Sequence, residues 1–282
     1  MKNIIVRYNV SQNDGRKNDY GGIQVWDGNN GDMDSVFIYN NVVYMAPNNQ
    51  ANVAAFKCIS SNHRNHLISN NVFVTNNTDG TVSQVDLFPN NGLNFINNFY
   101  YDLQNTYRYR DGGIVQNNLA GWRAATGDET YNGNPVGAQL NPQLNSPGGG
   151  NPINDPLQLF TLWAYQWQAG GPLTDVGLDL MAEFGLDMGP QDYFGNAIPY
   201  NVTYDVGVYE SGGNPLAQTT VTLDARRENG HTVGLSWTLE PGHRWQRAVL
   251  LRRSAHGSQY FPLASWEEGG LPDRFQDQRA LP

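Results

Sequence analysis

The sequence predicts an all-β fold in which short parallel strands stack coil upon coil, followed by a smaller antiparallel β unit. Three observations predict it: a phrase that recurs through the first 120 residues, period-two alternation on both sides of it, and a change of composition near residue 215. The phrase is VFIYNNVVYM at Val36–Met45. It returns as IIVRYNVSQN at Ile4–Asn13, HLISNNVFVT at His66–Thr75 and LNFINNFYYD at Leu93–Asp102, with a shorter copy, GGIVQNNLAG, at Gly112–Gly121. Aligned on the Asn before the second apolar run, the copies give Asn9, Asn41, Asn71, Asn98 and Asn118, spaced by 32, 30, 27 and 20 residues. Spacings of that size signal stacked repeats, here about five coils.

Each coil reads as strand, polar turn, strand, Asn corner, strand. The strand before the Asn phrase is GGIQVWDG (Gly21–Gly28) in one coil, NVAAFKCIS (Asn52–Ser60) in the next and TVSQVDLF (Thr81–Phe88) in the third. Short β-branched and aromatic runs with alternation support strands, and no 3.6 period competes in residues 1–120. A strand cannot satisfy its own backbone, but coils stacked about 4.8 Å apart pair every strand with its copy. Asn9, Asn41, Asn71, Asn98 and Asn118 would then form a side-chain amide ladder along the stack, a scaffold role.

Residues 1–215 carry nine Lys/Arg against 19 Asp/Glu, whereas residues 216–282 carry eight Arg, no Lys and seven Asp/Glu. Asparagine breaks at the same place: 25 lie in residues 1–120 and only Asn229 after 215. Two compositions predict two domains, at 1–211 and 218–282, with a linker at 212–217 marked by SGGNP. The acidic first part repels a nucleic-acid backbone, which excludes that partner class. No run of 18 apolar residues predicts a membrane span, and the N-terminus lacks the apolar stretch of a secretory signal. Cys58 is the single cysteine, so no disulfide framework is expected. The first strand begins without a capping segment, which reads as an N-terminally truncated stack.

The phrases NNVVY, NNVFV and NNFYY, with NVSQNDG (Asn9–Gly15) followed by GGI (Gly21–Ile23), resemble the right-handed parallel β-helix family of secreted, pectate-lyase-like bacterial proteins. Residues 123–160 lose the period in a Pro/Gly-rich exit. Pro172-Leu-Thr-Asp-Val-Gly177 and Asp205-Val-Gly-Val-Tyr-Glu210, with Asp192-Tyr-Phe-Gly195 between them, resemble the closing signature of that family. Its expected role is structural, its Asp and Gly turns seating the last coil and capping its edge. TTVTLDAR, HTVGLSWTLE, QRAVLLRRS and YFPLAS suit strands of a β-sandwich. They resemble the fibronectin type III-like modules beside sorting domains of type IX-secreted proteins in Bacteroidetes, with Trp237 as the buried strand tryptophan and about two strands missing after Pro282. The resemblance implies a secreted or cell-surface protein, monomeric when intact, whose partner is a polysaccharide or cell-surface glycan.

The resemblance also implies a saccharide groove on the outer face of a parallel sheet. Gln24 and Trp26 point outward in GGIQVWDG. Matching Val25 with Phe56 and Val85 aligns Trp26, Lys57 and Asp86 in one outward row, with a bulge near Ala54 bringing Val53 into register. Trp26 offers a flat apolar surface to a sugar ring, with Gln24 beside it. Lys57 would abstract a proton next to a uronate carboxyl, and Asp86 with Asp27 would hold Ca²⁺ or neutralise Lys57. The same residues also read as a surface Lys–Asp pair beside a half-exposed Trp, worth well under about 1 kcal/mol. Arg16 and Lys17, in the loop QNDGRKNDY, would rim the groove and bind acidic sugars, or belong to a solvated loop. His63 and His66 read as part of a surface turn without the third ligand that zinc needs. For glycoside hydrolysis Asp27, Asp32, Asp34 and Asp86 supply carboxylates that sequence alone does not pair.

Two functions follow. The first is a carbohydrate-active β-helix, a polysaccharide lyase or glycoside hydrolase acting on acidic polysaccharide. The second is a non-catalytic adhesive or glycan-binding β-helix.

Overall fold

Alternating apolar residues form strands here only because each finds its copy one coil away. The computed structural model describes residues 2–28, 33–48, 52–200 and 203–212, together with five strand segments between 221 and 277, these last as backbone. Asp32 and most of the linker around SGGNP fall outside the described residues.

The first coil consists of β1 (Lys2–Arg7), β2 (Val10–Gln12) and β3 (Gly21–Val25). The second has β4 (Asp34–Tyr39), β5 (Val42–Met45) and β6 (Ala54–Cys58), and the third β7 (Leu67–Ser69), β8 (Val72–Thr75) and β9 (Ser83–Leu87). A last set, β10 (Phe95–Ile96), β11 (Phe99–Asp102) and β12 (Tyr109–Asp111), completes the stack. Corresponding strands pair in parallel, giving a first sheet β1-β4-β7-β10, a second β2-β5-β8-β11 and a third β3-β6-β9-β12. The chain therefore makes about three full turns of a parallel β-helix between β1 and β10.

The predicted fifth coil does not form. Gly112 and Gly113 both have positive φ (55° and 101°), as a two-residue reverse turn requires, and β13 (Ile114–Gln116) runs back antiparallel to β12. The chain then enters helix α1 (Leu119–Thr126). Asn118 is not a rung of the amide ladder; its side chain caps α1 by accepting from Gly121 N–H at 2.7 Å. Trp122 plugs the end of the core: it is fully buried and stacks on Tyr109 at 5.3 Å, with Phe95 at 5.4 Å.

The two Asn of each corner divide the labour. The second one builds the ladder. Asn9 Nδ2 donates to Asn41 Oδ1 at 2.9 Å, Asn41 to Asn71 at 2.8 Å, and Asn71 to Asn98 at 2.8 Å. Each acceptor oxygen also takes the preceding Asn's backbone N–H, at 3.0 Å in all three cases. Asn98 donates onward to Glu129, which occupies the place expected for Asn118. The first Asn of each pair, Asn40, Asn70 and Asn97, turns the corner in the left-handed region (φ 52–62°), where Asn is tolerated. Its amide reaches outward: Asn40 donates to the carbonyls of Asp205 and Gly207, Asn70 to Leu178, and Asn97 to Val176.

Those outward bonds hold the closing segment. β14 (Thr130–Tyr131) and β15 (Asn134–Pro135) form a small hairpin, and β16 (Ala138–Gln139) adds to the second sheet beside β11. Beyond it, Leu144, Tyr165, Trp167, Leu173, Phe194, Val206 and Val208 bury the outer face of the second sheet against Val42, Val72 and Phe99. Helix α2 (Leu180–Phe184) with Leu186 and Met188 covers the outer face of the first sheet at Tyr39, Leu67 and Ile96. The closing signature thus lies along the sides of the stack. The edge of its last coil is capped by α1 instead, because only a helix carrying Leu119 and Trp122 offers that edge an apolar lid. Gly207 shows why the signature needs glycine: its φ is 98°, and a Cβ would stand 3.0 Å from Val72 Cγ2.

The chain divides into two compact units, Met1–Leu216 and Ala217–Pro282. Taken by itself, the second unit pairs β17 (Val221–Arg227) with β18 (Val233–Leu239), and β18 with β21 (Arg274–Asp277). β19 (Arg247–Arg253) pairs with β20 (Tyr260–Glu267), and these three pairings are antiparallel. Trp237 lies opposite Leu223 in this ladder, and its expected burial falls outside what is described.

Candidate functional site

The apolar clusters that cover the outer faces of the first and second sheets include no residue of the third sheet. Two columns of side chains run along that sheet's outer face. Strand pairing aligns Gln24 with Lys57, Lys57 with Asp86, and Asp86 with Arg110. One strand step further, Trp26, Ile59 and Phe88 follow one another up the stack. Ile59 N–H donates to Val25 O at 3.2 Å and Phe88 N–H to Cys58 O at 2.9 Å. Trp26 is 54% exposed and Phe88 49%.

The expected row of Trp26, Lys57 and Asp86 is therefore wrong by one strand step: Gln24, not Trp26, is the neighbour of Lys57. Ile23 pairs with Phe56 and Val85, while Val25 pairs with Cys58 and Leu87. The pairing keeps one register from the Gly21/Ala54 pair to the Val25/Cys58 pair and from the Ala54/Ser83 pair to the Cys58/Leu87 pair, so the bulge expected near Ala54 is not present, although Ala55 and Phe56 both enter the core. A slip of two residues keeps the face and changes the column. Arg110 was not anticipated, although Tyr109-Arg-Asp repeats the in–out order of Phe56-Lys-Cys.

Lys57 is held on several sides. The space left by Gly21, where an added Cβ would sit 2.7 Å from Lys57 Cβ, lets its stem lie flat on the sheet. Its Nζ donates to the carbonyls of Asp19 at 2.7 Å and Asn52 at 3.0 Å. Asp86 Oδ2 lies at 3.6 Å and Asp19 Oδ2 at 3.8 Å. Arg110 completes the network by donating to Asp86 Oδ2 at 3.1 Å and Asn52 Oδ1 at 3.0 Å. A general base must present a lone pair to its substrate, and Nζ here is occupied as a donor to two carbonyls. The geometry of Lys57 and Asp86 is that of a structural ion network, four charges deep, with both side chains mostly buried.

Asp27 and Asp86 do not come together. Asp27 follows Trp26 in the first coil and donates its N–H to Ser60 Oγ at 3.3 Å, while Asp86 sits two coils on and three residues back, on the order of 10 Å or more away. Among the described residues no group of three or more His, Cys, Asp or Glu is placed to hold a metal ion. Arg16 and Lys17 lie in the short 3₁₀ turn Arg16–Asn18, at the corner between the second and third sheets. Arg16 donates to Pro47 O at 3.3 Å and Lys17 is exposed, so neither joins the Lys57 column; Asp19, from the end of that loop, does. His63 and His66 are not at the surface: they are only 4% and 3% exposed.

No helix among the described residues is long and apolar enough to cross a membrane. Comparisons with protein-family models, with curated proteins and with solved structures find no match to this chain.

Proposed function

We propose that the chain is a non-catalytic glycan-binding β-helix and that its binding face is the outer face of the third sheet. One observation carries the reading. The closing segment covers the outer faces of the first and second sheets, and the remaining face displays Trp26 and Phe88, about half exposed, beside a fixed network of Lys57, Asp86 and Arg110. Aromatic faces stack on the apolar faces of sugar rings. Two of them separated by two coils, about 10 Å, span an extended polymer. Arg110 is the most exposed cation of the network and suits carboxylated sugars. The resemblance of the repeat to pectate-lyase-like solenoids supports a polysaccharide partner and a secreted or cell-surface location. Catalysis by β-elimination is the weaker reading, because Lys57 Nζ is engaged as a donor and set among two carboxylates.

The test is affinity electrophoresis and calorimetry with polygalacturonate, alongside neutral glucans and xylans, while absorbance of the unsaturated product is followed. Trp26→Ala and Phe88→Ala each weaken binding about tenfold, with stability changed by no more than about 0.5 kcal/mol, as for exposed positions. Absence of binding to every polymer would overturn the proposal. Product formation abolished by Lys57→Met, with the fold intact, would replace it with the lyase.

A further inference from the structure

The turn that leaves β6 and returns to β7 buries two imidazoles that the glycan face does not use. His63 and His66 are 4% and 3% exposed, with ring centroids 5.1 Å apart and planes 32° apart. Nδ1 of His66 lies 2.6 Å from the carbonyl oxygen of Arg64. A carbonyl only accepts, so Nδ1 carries the proton and Nε2 presents a lone pair. That Nε2 is buried without a hydrogen-bond partner. Nε2 of His63 lies 2.9 Å from Ser60 Oγ, and its Nδ1 is likewise buried without a partner. The serine hydroxyl can donate or accept, so His63 is able to present a lone pair at Nδ1 when Nε2–H donates to Oγ. Two buried ring nitrogens on residues three apart are thus left without a protein partner, and such atoms call for a water or an ion.

The turn is rigid enough to keep them there. His63 N–H donates to Asn91 O at 3.2 Å and Asn62 N–H to Asn90 O at 2.8 Å, so the next coil holds the backbone that carries the first imidazole.

We propose that His63 and His66 form a two-nitrogen site for monovalent copper. The donor set selects the ion. Zinc takes four ligands in structural sites and three with water in catalytic ones, and no group of three ligating side chains exists among the described residues. Calcium and magnesium require oxygen ligands. Cu(I) is content with two neutral nitrogens, suits soft or imidazole donors, and as a single charge is less costly to desolvate than a divalent ion. Cys58 is the nearby competitor. Its Sγ donates to Ser60 O at 3.2 Å, and burial pushes the thiol up to about 11, so it is not a ready thiolate.

The experiment is an anaerobic titration of the full chain with Cu(I) against a chromogenic chelator, with Zn²⁺ in a parallel series. The native chain and Cys58→Ala each withdraw one equivalent of Cu(I), and His63→Phe and His66→Phe, checked for folding by circular dichroism, lose it. Because a phenylalanine variant can unfold, the native chain is also followed by imidazole ¹⁵N shifts. Cu(I) moves His63 Nδ1 and His66 Nε2 and leaves His231, His243 and His256 unmoved. The proposal is overturned by no uptake, which would leave a buried water as the occupant. It is equally overturned by uptake that Cys58→Ala abolishes, by stronger binding of Zn²⁺, or by shifts confined to the other three histidines.

Discussion

The side-chain amide of Asn98 donates to Oε1 of Glu129 at 2.8 Å, and the amide row that begins at Asn9 ends there on a carboxyl group. Every asparagine in the row donates toward the C-terminal end, so the last one needs an acceptor that asks for nothing in return. Glu129 also accepts the Tyr100 hydroxyl at 2.8 Å and the Asn98 backbone N–H at 3.2 Å. It is fully buried, and the groups that donate to it, Asn98 and Tyr100, are neutral.

Glu129→Gln turns one of those acceptor atoms into a donor facing Asn98 N–H. The variant is expected to lose roughly 1–3 kcal/mol, the usual cost of a buried polar mismatch. Urea unfolding of the two proteins at pH 9, where Glu129 is ionised, measures it, and an unchanged midpoint would show that the ladder does not need this terminus.

Burial pushes Glu129 from 4.5 up to about 8, against the hydrogen bonds from Asn98 and Tyr100 that pull it down. Below about 4.5 both folded and unfolded chains hold the proton. Between 4.5 and 8 the unfolded chain has released it and the folded chain has not, so stability falls as pH rises, by up to about 1.4 kcal/mol per pH unit for one group. Above 8 the fall stops. Glu210, pushed to about 8 by burial, adds to the same limb. Unfolding midpoints at pH 6, 7, 8 and 9 are expected to decline and then level off, with a shallower decline for Glu129→Gln.

Gly207→Ala places a methyl group 3.0 Å from Val72 Cγ2 at a backbone φ of 98°. A loss of about 1–3 kcal/mol is expected from strain and overpacking together. Because Gly207 N–H also donates to Asn70 O at 2.9 Å, the closing segment should loosen first. Limited proteolysis beyond residue 140 would reveal it, and equal cleavage rates would contradict the assigned contact.

Lys57→Met removes the cation between Asp19 and Asp86, whose side chains are 41% and 14% exposed. With Arg110 still on Asp86 and partial solvent screening, the loss is expected at about 1–3 kcal/mol. Adding Asp86→Asn should recover part of it, since the two residues share one network. A double-mutant cycle with no coupling would refute the ion network.

Much of the third sheet's outward face was legible before the structure. Period-two alternation settles which residues point out, so Lys57, Asp86, Gln24 and Trp26 were placed on one face. The column they occupy was not legible, because alternation fixes a residue's face but not its partner: the strands pair in one unbroken register that sets Ile23, and not Val25, against Phe56. Arg110 and Asp19 enter the network from another coil and from a loop, and no local pattern marks either. Glu129 had left a trace: it stands 31 residues after Asn98, the spacing of a full coil, whereas Asn118 stands only 20 on. Its different side chain concealed it.

The sequence by itself determined the coil stack, the Asn corners and the two-part chain, because strand alternation and a repeating corner residue are local properties that stacking copies from coil to coil. Only the tertiary structure decided where the stack ends, which faces remain open and what surrounds each charge. A Gly-Gly turn reverses the chain after the last coil, Trp122 then seals the core, and the closing segment chooses two sheets of three to cover. Those outcomes depend on contacts between residues as far apart as Asn40 and Gly207, and no local periodicity encodes a contact of that range.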